Sequence, residues 1–416
     1  MKVLFINTSE IAGGAAIACH RLMQALSKQD IEIKMLVRDK FSDNKNVIQV
    51  GNKLKNKFNF YWERGQIYLK NKFSRETLFQ VSIANTGVPV TQLPEFKEAD
   101  IIHLHWINQG MLSIDEIGKI FASGKKVVWT MHDMWAFTGI CHHARTCNQY
   151  ELGCGSCPFL FSASKKDISH QVFLKKQKNY AKGDVTFVSV SNWLDSLAQK
   201  SPLLKGHNFK VIPNVIDIQE FYPQSEKDEN LLRLINGRKV IIMGAVRLDQ
   251  DIKGFSFLKL ALQKLITNHQ VKKEDLLLFL FGRVKYPEPF FADIPISYHY
   301  FNEISDTKKI AQLYNHSDVV VVPSLYETFG QTITEAMACG RPAVTFNNSG
   351  QTDIIDHKIN GYLAEYKNSD DLANGIHWIL KSTDYDQLCH NARNKVEQTY
   401  SEAIVAKKYI ELYNNI

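Results

Sequence analysis

Nine short apolar runs constrain this chain more than any other feature. Each ends at turn residues and is separated from the next by a stretch with helical periodicity. In the first half they fall at residues 2–6, 31–37, 100–105, 126–130 and 185–189, and in the second half at 240–244, 276–281, 319–323 and 342–345. A strand that is apolar throughout must be covered on both faces. Parallel sheets flanked by crossover helices meet that demand. The start of the chain shows the unit: Lys2-Val-Leu-Phe-Ile6, the turn Gly13-Gly14, a helix pattern through Leu26, then the next strand. Strand, glycine turn, helix, strand is the opening of a βαβ series.

At 416 residues, the chain exceeds what one hydrophobic core usually supports, about 250–300 residues. Two doubly wound domains are expected. One spans 1–217 with a cysteine-rich insert at 141–157. The other spans 218–395, and a terminal segment, 396–416, packs back on the first. Pro213 stops a helix, and Pro223 has a charged polar stretch behind it, so 214–230 reads as the connection between domains. The helix pattern at about 401–414 is amphipathic. In open α/β sheets, ligands bind outside the carboxyl ends of the strands. The residues just after strands, lining a cleft between two facing domains, are therefore the ones to inspect.

The most informative run is Pro323-Ser-Leu-Tyr-Glu327-Thr-Phe-Gly330-Gln-Thr-Ile-Thr-Glu335-Ala-Met-Ala-Cys-Gly340. A strand ends at Pro323, a loop carries Glu327, and a helix starts near Gln331. Gly340 closes that helix. The helix N-terminus offers backbone N–H groups and a positive dipole end, which suits a phosphate. Glu335, in the second turn, can accept from sugar hydroxyls. This run closely resembles the retaining glycosyltransferases of family 4, whose GT-B fold pairs two facing Rossmann-like domains. Ser324, Glu327, Phe329, Gly330, Glu335, Ala336, Ala338, Cys339, Gly340 and Pro342 carry the likeness. The resemblance implies that Glu335 holds the ribose of a donor nucleotide and that Glu327 touches the transferred sugar. It also implies that the amides around Phe329, Gly330 and Gln331 meet sugar or diphosphate.

A second run, Gly244-Ala-Val-Arg247-Leu-Asp-Gln-Asp-Ile-Lys253-Gly254, places Arg and Lys six residues apart after a strand. A departing diphosphate needs such charges: Arg forks onto two oxygens and Lys adds a point charge. It is similar to the family pattern, except that Ala245-Val246 stands where glycine often precedes the arginine. Asp249-Gln-Asp251 is formally Asp-x-Asp, but the basic loop around it already supplies the cation. Gly13 and Gly14 let backbone amides approach a donor phosphate or sugar. Base-reading contacts are expected near Gly282 and around 300–302.

After the strand at 126–130 comes His132-Asp133. The resemblance puts such a pair near the donor sugar and makes His132 a catalytic candidate with Glu327, Arg247 and Lys253. His105 and Trp106 end the preceding strand and, with Asp133, are assigned to the acceptor. Ser189-Val-Ser191-Asn-Trp193 follows another strand; lining a site and a satisfied polar cluster are equal readings for it.

Four of the seven cysteines fall together: Cys141, Cys147, Cys154 and Cys157. Cys-x2-Cys is a knuckle that can bite one Zn²⁺, and two further thiolates complete a tetrahedron. His142 or His143 could replace one thiolate; free thiols or disulfides formed on oxidation are the competing readings. Such a zinc would be structural, since four ligands leave no open position. The transfer itself requires no cofactor.

The net charge of +7 is uneven. Residues 1–217 hold 28 Lys+Arg against 18 Asp+Glu, while 218–416 hold 22 against 25. Lys53, Lys55, Lys57, Lys70 and Lys72 interleave with Phe58, Phe60, Tyr61, Trp62 and Tyr68. That stretch reads either as a solvated helical face or as a surface for anionic lipid headgroups. No recognised motif accompanies the charge, which argues against nucleic acid. No apolar run reaches the roughly 20 residues of a membrane span, and Met1-Lys-Val-Leu-Phe-Ile-Asn7 is strand-like rather than a signal peptide. The expected location is cytoplasmic, peripheral at the inner face of the membrane.

The expected function is a retaining hexosyltransferase. It would move a sugar from a UDP- or GDP-sugar to a hydroxyl of a glycan or lipid-linked acceptor in surface polysaccharide biosynthesis. A GT-B sugar-nucleotide epimerase and a non-catalytic sugar-nucleotide binder are the alternatives. The intact set of Arg247, Lys253, Glu327 and Glu335 argues against both.

Overall fold

The computed structural model describes residues 1–161, 164–226 and 228–416. Among them the chain forms two compact units: Met1–Pro213 with Ala406–Ile416, and Asn214–Val405. Both are α/β, each built on one parallel sheet.

The first unit contains β1 (Lys2–Ser9), β2 (Glu32–Asp39), β3 (Val47–Gln49), β4 (Ile101–Leu104), β5 (Lys126–Met131), β6 (Thr186–Ser189) and β7 (Asn208–Val211), in the order β3-β2-β1-β4-β5-β6-β7. Its pairings are parallel. The second contains β8 (Lys239–Arg247), β9 (Leu276–Arg283), β10 (Ser297–Tyr300), β11 (Val319–Val322), β12 (Ala343–Phe346) and β13 (Gly361–Ala364), in the order β10-β9-β8-β11-β12-β13. It too is parallel. Central strands β4, β6, β11 and β12 are buried along their whole length. Apolar side chains on both faces of these strands therefore find cover, as the runs require.

Strand order reverses between β1 and β4 in the first unit and between β8 and β11 in the second. At such a switch point the crossovers on either side run to opposite faces, leaving a crevice at the carboxyl ends. Edge strands β7 and β10 are largely exposed. Their sequences, Asn-Phe-Lys-Val and Ser-Tyr-His-Tyr, carry no apolar run, which is why sequence reading passed over β10.

The stretch 214–230, expected as a connection, is not a free linker over its first part. Val215, Ile216 and Phe221 are buried. Arg393 Nη1 donates to Phe221 O at 2.8 Å and to Ala338 O at 2.7 Å, and Arg393 Nη2 to Ile218 O at 3.3 Å. One guanidinium thus fastens this segment to the second unit through three carbonyls. Lys227 lies outside the described residues. The final helix, Glu402–Asn415, delivers two buried tyrosines to the first sheet. Tyr413 OH meets His103 Nδ1 at 2.7 Å, and Tyr409 OH meets Thr130 Oγ1 at 2.9 Å. Among the described residues, no helix is long and apolar enough to cross a membrane.

Candidate functional site

In the second unit, the loops after β8 and β11 meet at the switch point. Leu325 N donates to Ile252 O at 2.8 Å. Gly254 caps the helix Phe255–Thr267 with φ +70°, and a Cβ there would stand 1.9 Å from Pro323 O. Only glycine permits that approach. It brings Lys253 Nζ to 2.9 Å from Glu327 Oε2, with both side chains partly open to solvent.

Arg247 ends β8. Pairing of β8 with β9 shifts register between Gly244 and Arg247, so one extra residue sits at Ala245-Val246. Bulges re-aim the side chains that follow them. The residues that depart from the family pattern therefore form the bulge that sets Arg247. Its guanidinium is then held by Asp249, Nε to Oδ1 at 3.0 Å and Nη2 to Oδ2 at 2.9 Å. The hydrogen bond from Arg247, with its charge, lowers the Asp249 carboxyl. Asp249 also accepts from Lys285 N. It holds Arg247 and the loop after β9.

Glu327 is positioned by a third loop that sequence reading missed. Glu327 N donates to Ser349 Oγ at 3.1 Å, and Gly350 N to Glu327 O at 2.8 Å. Asn348 Nδ2 holds Leu325 O, and Gln351 Nε2 holds Ser324 O. The turn cluster Asn347-Asn-Ser-Gly-Gln351, directly after β12, was the available signal.

The helix Gln331–Ala338 begins at Gly330, with φ +121° and no side-chain cap. It ends in a Schellman turn: Gly340 N bonds to Met337 O and Arg341 N to Ala336 O, with Gly340 at φ +71°. Glu335 and Gln331 are half-buried on it. Phe329 is buried, edge-on to Tyr400, so only its backbone can meet a ligand. Gly282 is required by packing: at φ +126° its Cβ would strike Ala245 O. Its N–H bonds Asn302 O, and its carbonyl accepts from Tyr300 OH. Both of its backbone groups are thus engaged within the protein.

In the first unit, Gly13 has φ +97° and open space where a Cβ would stand, at the start of the helix Gly14–Ser27. Asn7 and Thr8, also missed, tie β1 to the loop after β4. Asn7 Oδ1 accepts from Trp106 N at 2.9 Å, and Thr8 Oγ1 donates to Asn108 O at 2.9 Å. His105 Nδ1 lies 3.0 Å from His132 Nε2. Asp133 is fully used: it accepts from Trp106 Nε1 at 2.7 Å, Trp135 N at 2.8 Å and His142 Nδ1 at 2.6 Å. His142 also meets Ser82 Oγ at 3.0 Å, which leaves it no part in the cysteine cluster. Ser191 caps the helix Asn192–Ala198, and Ser189 bonds Asp195; that group is a satisfied polar cluster.

All four clustered thiols line one pocket of about 10 Å³, and none is in a disulfide. Burial pushes Cys157 up to about 12 and Cys154 up to about 11. Among the described residues, no three His, Cys, Asp or Glu side chains are drawn up around one point as ligands.

Burial lowers His132 to about 4, against the attraction of Asp133. Burial and the neighbouring histidines lower His105 as well. Both rings are neutral at pH 7, so one donates to the other. Between an ordinary 6.5 and about 4, the folded state binds fewer protons than the unfolded chain. Stability is therefore complete above about pH 6.5 and falls as pH drops towards 4. His132→Gln should flatten that fall in a melting-temperature series from pH 7 to 4; an unchanged slope would refute it.

Comparison with known proteins bears on the fold and the reaction class. Residues 225–399 match the family model described as glycosyl transferases group 1. An uncharacterized glycosyltransferase of Methanocaldococcus jannaschii is 27% identical over 334 residues, covering 76% of this chain and 83% of that protein. The Escherichia coli UDP-Gal:alpha-D-GlcNAc-diphosphoundecaprenol alpha-1,3-galactosyltransferase is 21% identical over 338 residues, 78% of each chain. Anabaena Alr3699/HepE, solved with UDP and glucose, superposes with TM-score 0.65 over the whole of both chains at 17% identity; that likeness speaks for the fold. The fold is that of the GT-B glycosyltransferases, and residues 225–399 carry the match to the glycosyl transferases group 1 family.

Proposed function

We propose that the enzyme transfers a sugar, with retention at the anomeric carbon, from a nucleoside diphosphate sugar to a hydroxyl of a glycan or lipid-linked acceptor. The donor is a UDP- or GDP-sugar, and the setting is surface polysaccharide biosynthesis on the cytoplasmic side of a membrane. The observation that carries this reading is the Lys253–Glu327 pair at the β8/β11 switch point. Arg247 stands braced on the same loop as Lys253, and Glu335 on the helix after Glu327. Cation, acid and helix N-terminus together match a diphosphate joined to a polyhydroxyl ring. The galactosyltransferase relative, by its name, uses a UDP-sugar and a diphosphoundecaprenol acceptor, which supports the same donor and acceptor classes here.

In this reading the diphosphate displaces Glu327 from Lys253. Lys253, Arg247 and the amides at Gly330 and Gln331 then meet phosphate oxygens. Glu327, released, accepts from hydroxyls of the transferred sugar, and Glu335 accepts from the ribose. The bond from the anomeric carbon to the phosphate oxygen breaks with its electron pair leaving on the diphosphate. The acceptor oxygen bonds to that carbon on the same face, and its proton passes to the departing phosphate. Stabilising the leaving charge is the main task of the cations. His132 is assigned to the sugar as a neutral imidazole. His105 and Trp106 go to the acceptor side, and Asp133 acts through the rings it clamps. No metal takes part.

The cysteine cluster is proposed as a structural zinc site. Its thiols line one small space, and a zinc there would require them to close to Zn–S bonds of about 2.3 Å. Gly139 N already donates to Cys154 Sγ at 3.2 Å, the kind of bond that supports a thiolate. Lys176 Nζ, wholly buried, donates to Trp135 O and Thr138 O close by; burial lowers its pKa, and the charge of Cys154 and Cys141 thiolates works the other way.

Three outcomes test these assignments. Glu335→Ala should raise the donor Kd roughly 10- to 100-fold, as loss of charge-assisted bonds does, while the bound step slows less; unchanged donor affinity removes the ribose role. Lys253→Ala should cut turnover by about 10²–10³, read as nucleoside diphosphate release with acceptor present; near-normal turnover rejects it. Elemental analysis of the purified chain should find about one zinc per molecule, and a metal-free protein with the same melting temperature ends that assignment.

A further inference from the structure

The helix Lys53–Lys70 is inside out. Its buried residues are Asn56, Asn59, Glu63, Arg64 and Ile67, four of them polar. Its exposed residues include Leu54 at 81%, Phe58 at 61%, Tyr61 at 67%, Trp62 at 47% and Leu69 at 56% accessible. At 100° per residue these five fall within one arc of the helix, opposite Asn56 and Ile67.

The inverted orientation is fixed by polar bonds that an outward-facing polar side would lack. Glu63 Oε1 accepts from Ile83 N and Ala84 N, each at 2.8 Å. Arg64 donates to Leu78 O, to Val81 O at 2.9 Å and to Ser82 Oγ at 3.1 Å. The two side chains pair at 3.2 Å. Asn56 Nδ2 bonds Val50 O, and Asn59 Oδ1 accepts from Thr86. With this side anchored, the apolar side has water as its only cover among the described residues. Phe58 and Trp62 stack on it, centroids 5.7 Å apart. The surface continues past the helix end through exposed Phe73 to exposed Phe161, just after the cysteine-rich insert. There Lys72 Nζ sits 5.1 Å over the Phe161 ring, and Phe161 N donates to Asn71 Oδ1.

The charge around this stripe has one sign. Lys55 and Lys57 flank it on opposite sides, Lys53, Lys70 and Lys72 stand at its ends, and all five are exposed. The single acid from 53 to 73, Glu63, is wholly buried. We infer that this surface seats the protein on an anionic bilayer. The helix lies in the interface plane with Leu54, Phe58, Tyr61, Trp62 and Leu69 among the acyl chains and the lysines reaching headgroup phosphates. An apolar row rich in Trp and Tyr between lysines is the composition of interfacial helices, and lysine stems lie along apolar surface while their ammonium groups seek anions. A protein partner or a second copy would have to match five lysines with acids that this chain does not show on the same face. The inference stands on this surface alone; it supplies a place to meet a lipid-linked acceptor but does not depend on the donor assignments.

The test is flotation of the purified full chain with vesicles, without donor or acceptor. Vesicles of phosphatidylcholine with phosphatidylglycerol should carry the protein, and pure phosphatidylcholine should not. F58S/W62S should abolish flotation. K55A/K57A should weaken it by about fivefold per lysine removed, and added salt should weaken the wild type likewise. Trp fluorescence should shift to the blue on binding, and W62F should lose most of that shift. Equal binding to neutral vesicles, flotation that survives F58S/W62S in a protein with an unchanged melting temperature, or concentration-dependent dimers broken by F58S/W62S without vesicle binding would each overturn the inference.

Discussion

The backbone hydrogen bond from Leu325 N to Ile252 O holds the loop after β8 against the loop after β11. Most of what the second unit offers a ligand follows from it. It requires Gly254, since a side chain there would strike Pro323 O. It brings a cation from one loop to an acid on the other. An open ion pair of this kind is worth about 0–1 kcal/mol. It therefore keeps Lys253 and Glu327 ordered without holding them against a competing dianion. Arg247 is arranged differently. A bulge precedes it at the end of β8, and bidentate contact with Asp249 holds its guanidinium. One cation is paired with an acid on the neighbouring loop, the other with an acid on its own.

The first unit solves the same switch-point problem with neutral groups. Asn7 and Thr8 join the end of β1 to the loop after β4 through backbone and side chain. The loop after β5 is then fixed by Asp133, whose oxygens take an indole, an amide and an imidazole. A carboxylate so occupied has little left for a substrate, and its charge sits against buried rings. Burial keeps His132 and His105 unprotonated, so this end of the sheet presents imidazole nitrogens rather than a second cationic patch.

Central strands were legible in the sequence because burial on both faces forces an apolar run, as in Val319-Val-Val-Val322. Edge strand β10 was not, because an edge half in water imposes no such run. The loops with Arg247, Lys253, Glu327 and Glu335 were legible because charged residues beside glycines after a buried strand are costly unless used. Their supports were not. Ser349, Asn348 and Asn7 act through single hydrogen bonds to backbone, and an Asn or Ser after a strand reads as an ordinary turn residue. Gly282 shows the reverse limit: a glycine after a strand suggests backbone contact with a ligand, yet here its neighbour Ala245 O is what demands it.

The Lys53–Lys70 helix marks a further limit of periodicity. An amphipathic pattern establishes that an apolar stripe exists, but not which side of the helix faces the protein. That choice was made by Glu63 and Arg64. A buried ion pair is seldom more stable than apolar residues of the same volume, so its contribution here is orientation: turning the helix over would strand two charges and the amides of Ile83 and Ala84. The arrangement leaves large aromatic side chains in water, and each such side chain forgoes roughly 1.5–3 kcal/mol that burial would have contributed. A chain that forgoes this several times on one helix face, and encloses the face with lysines, has placed the compensating contact outside itself.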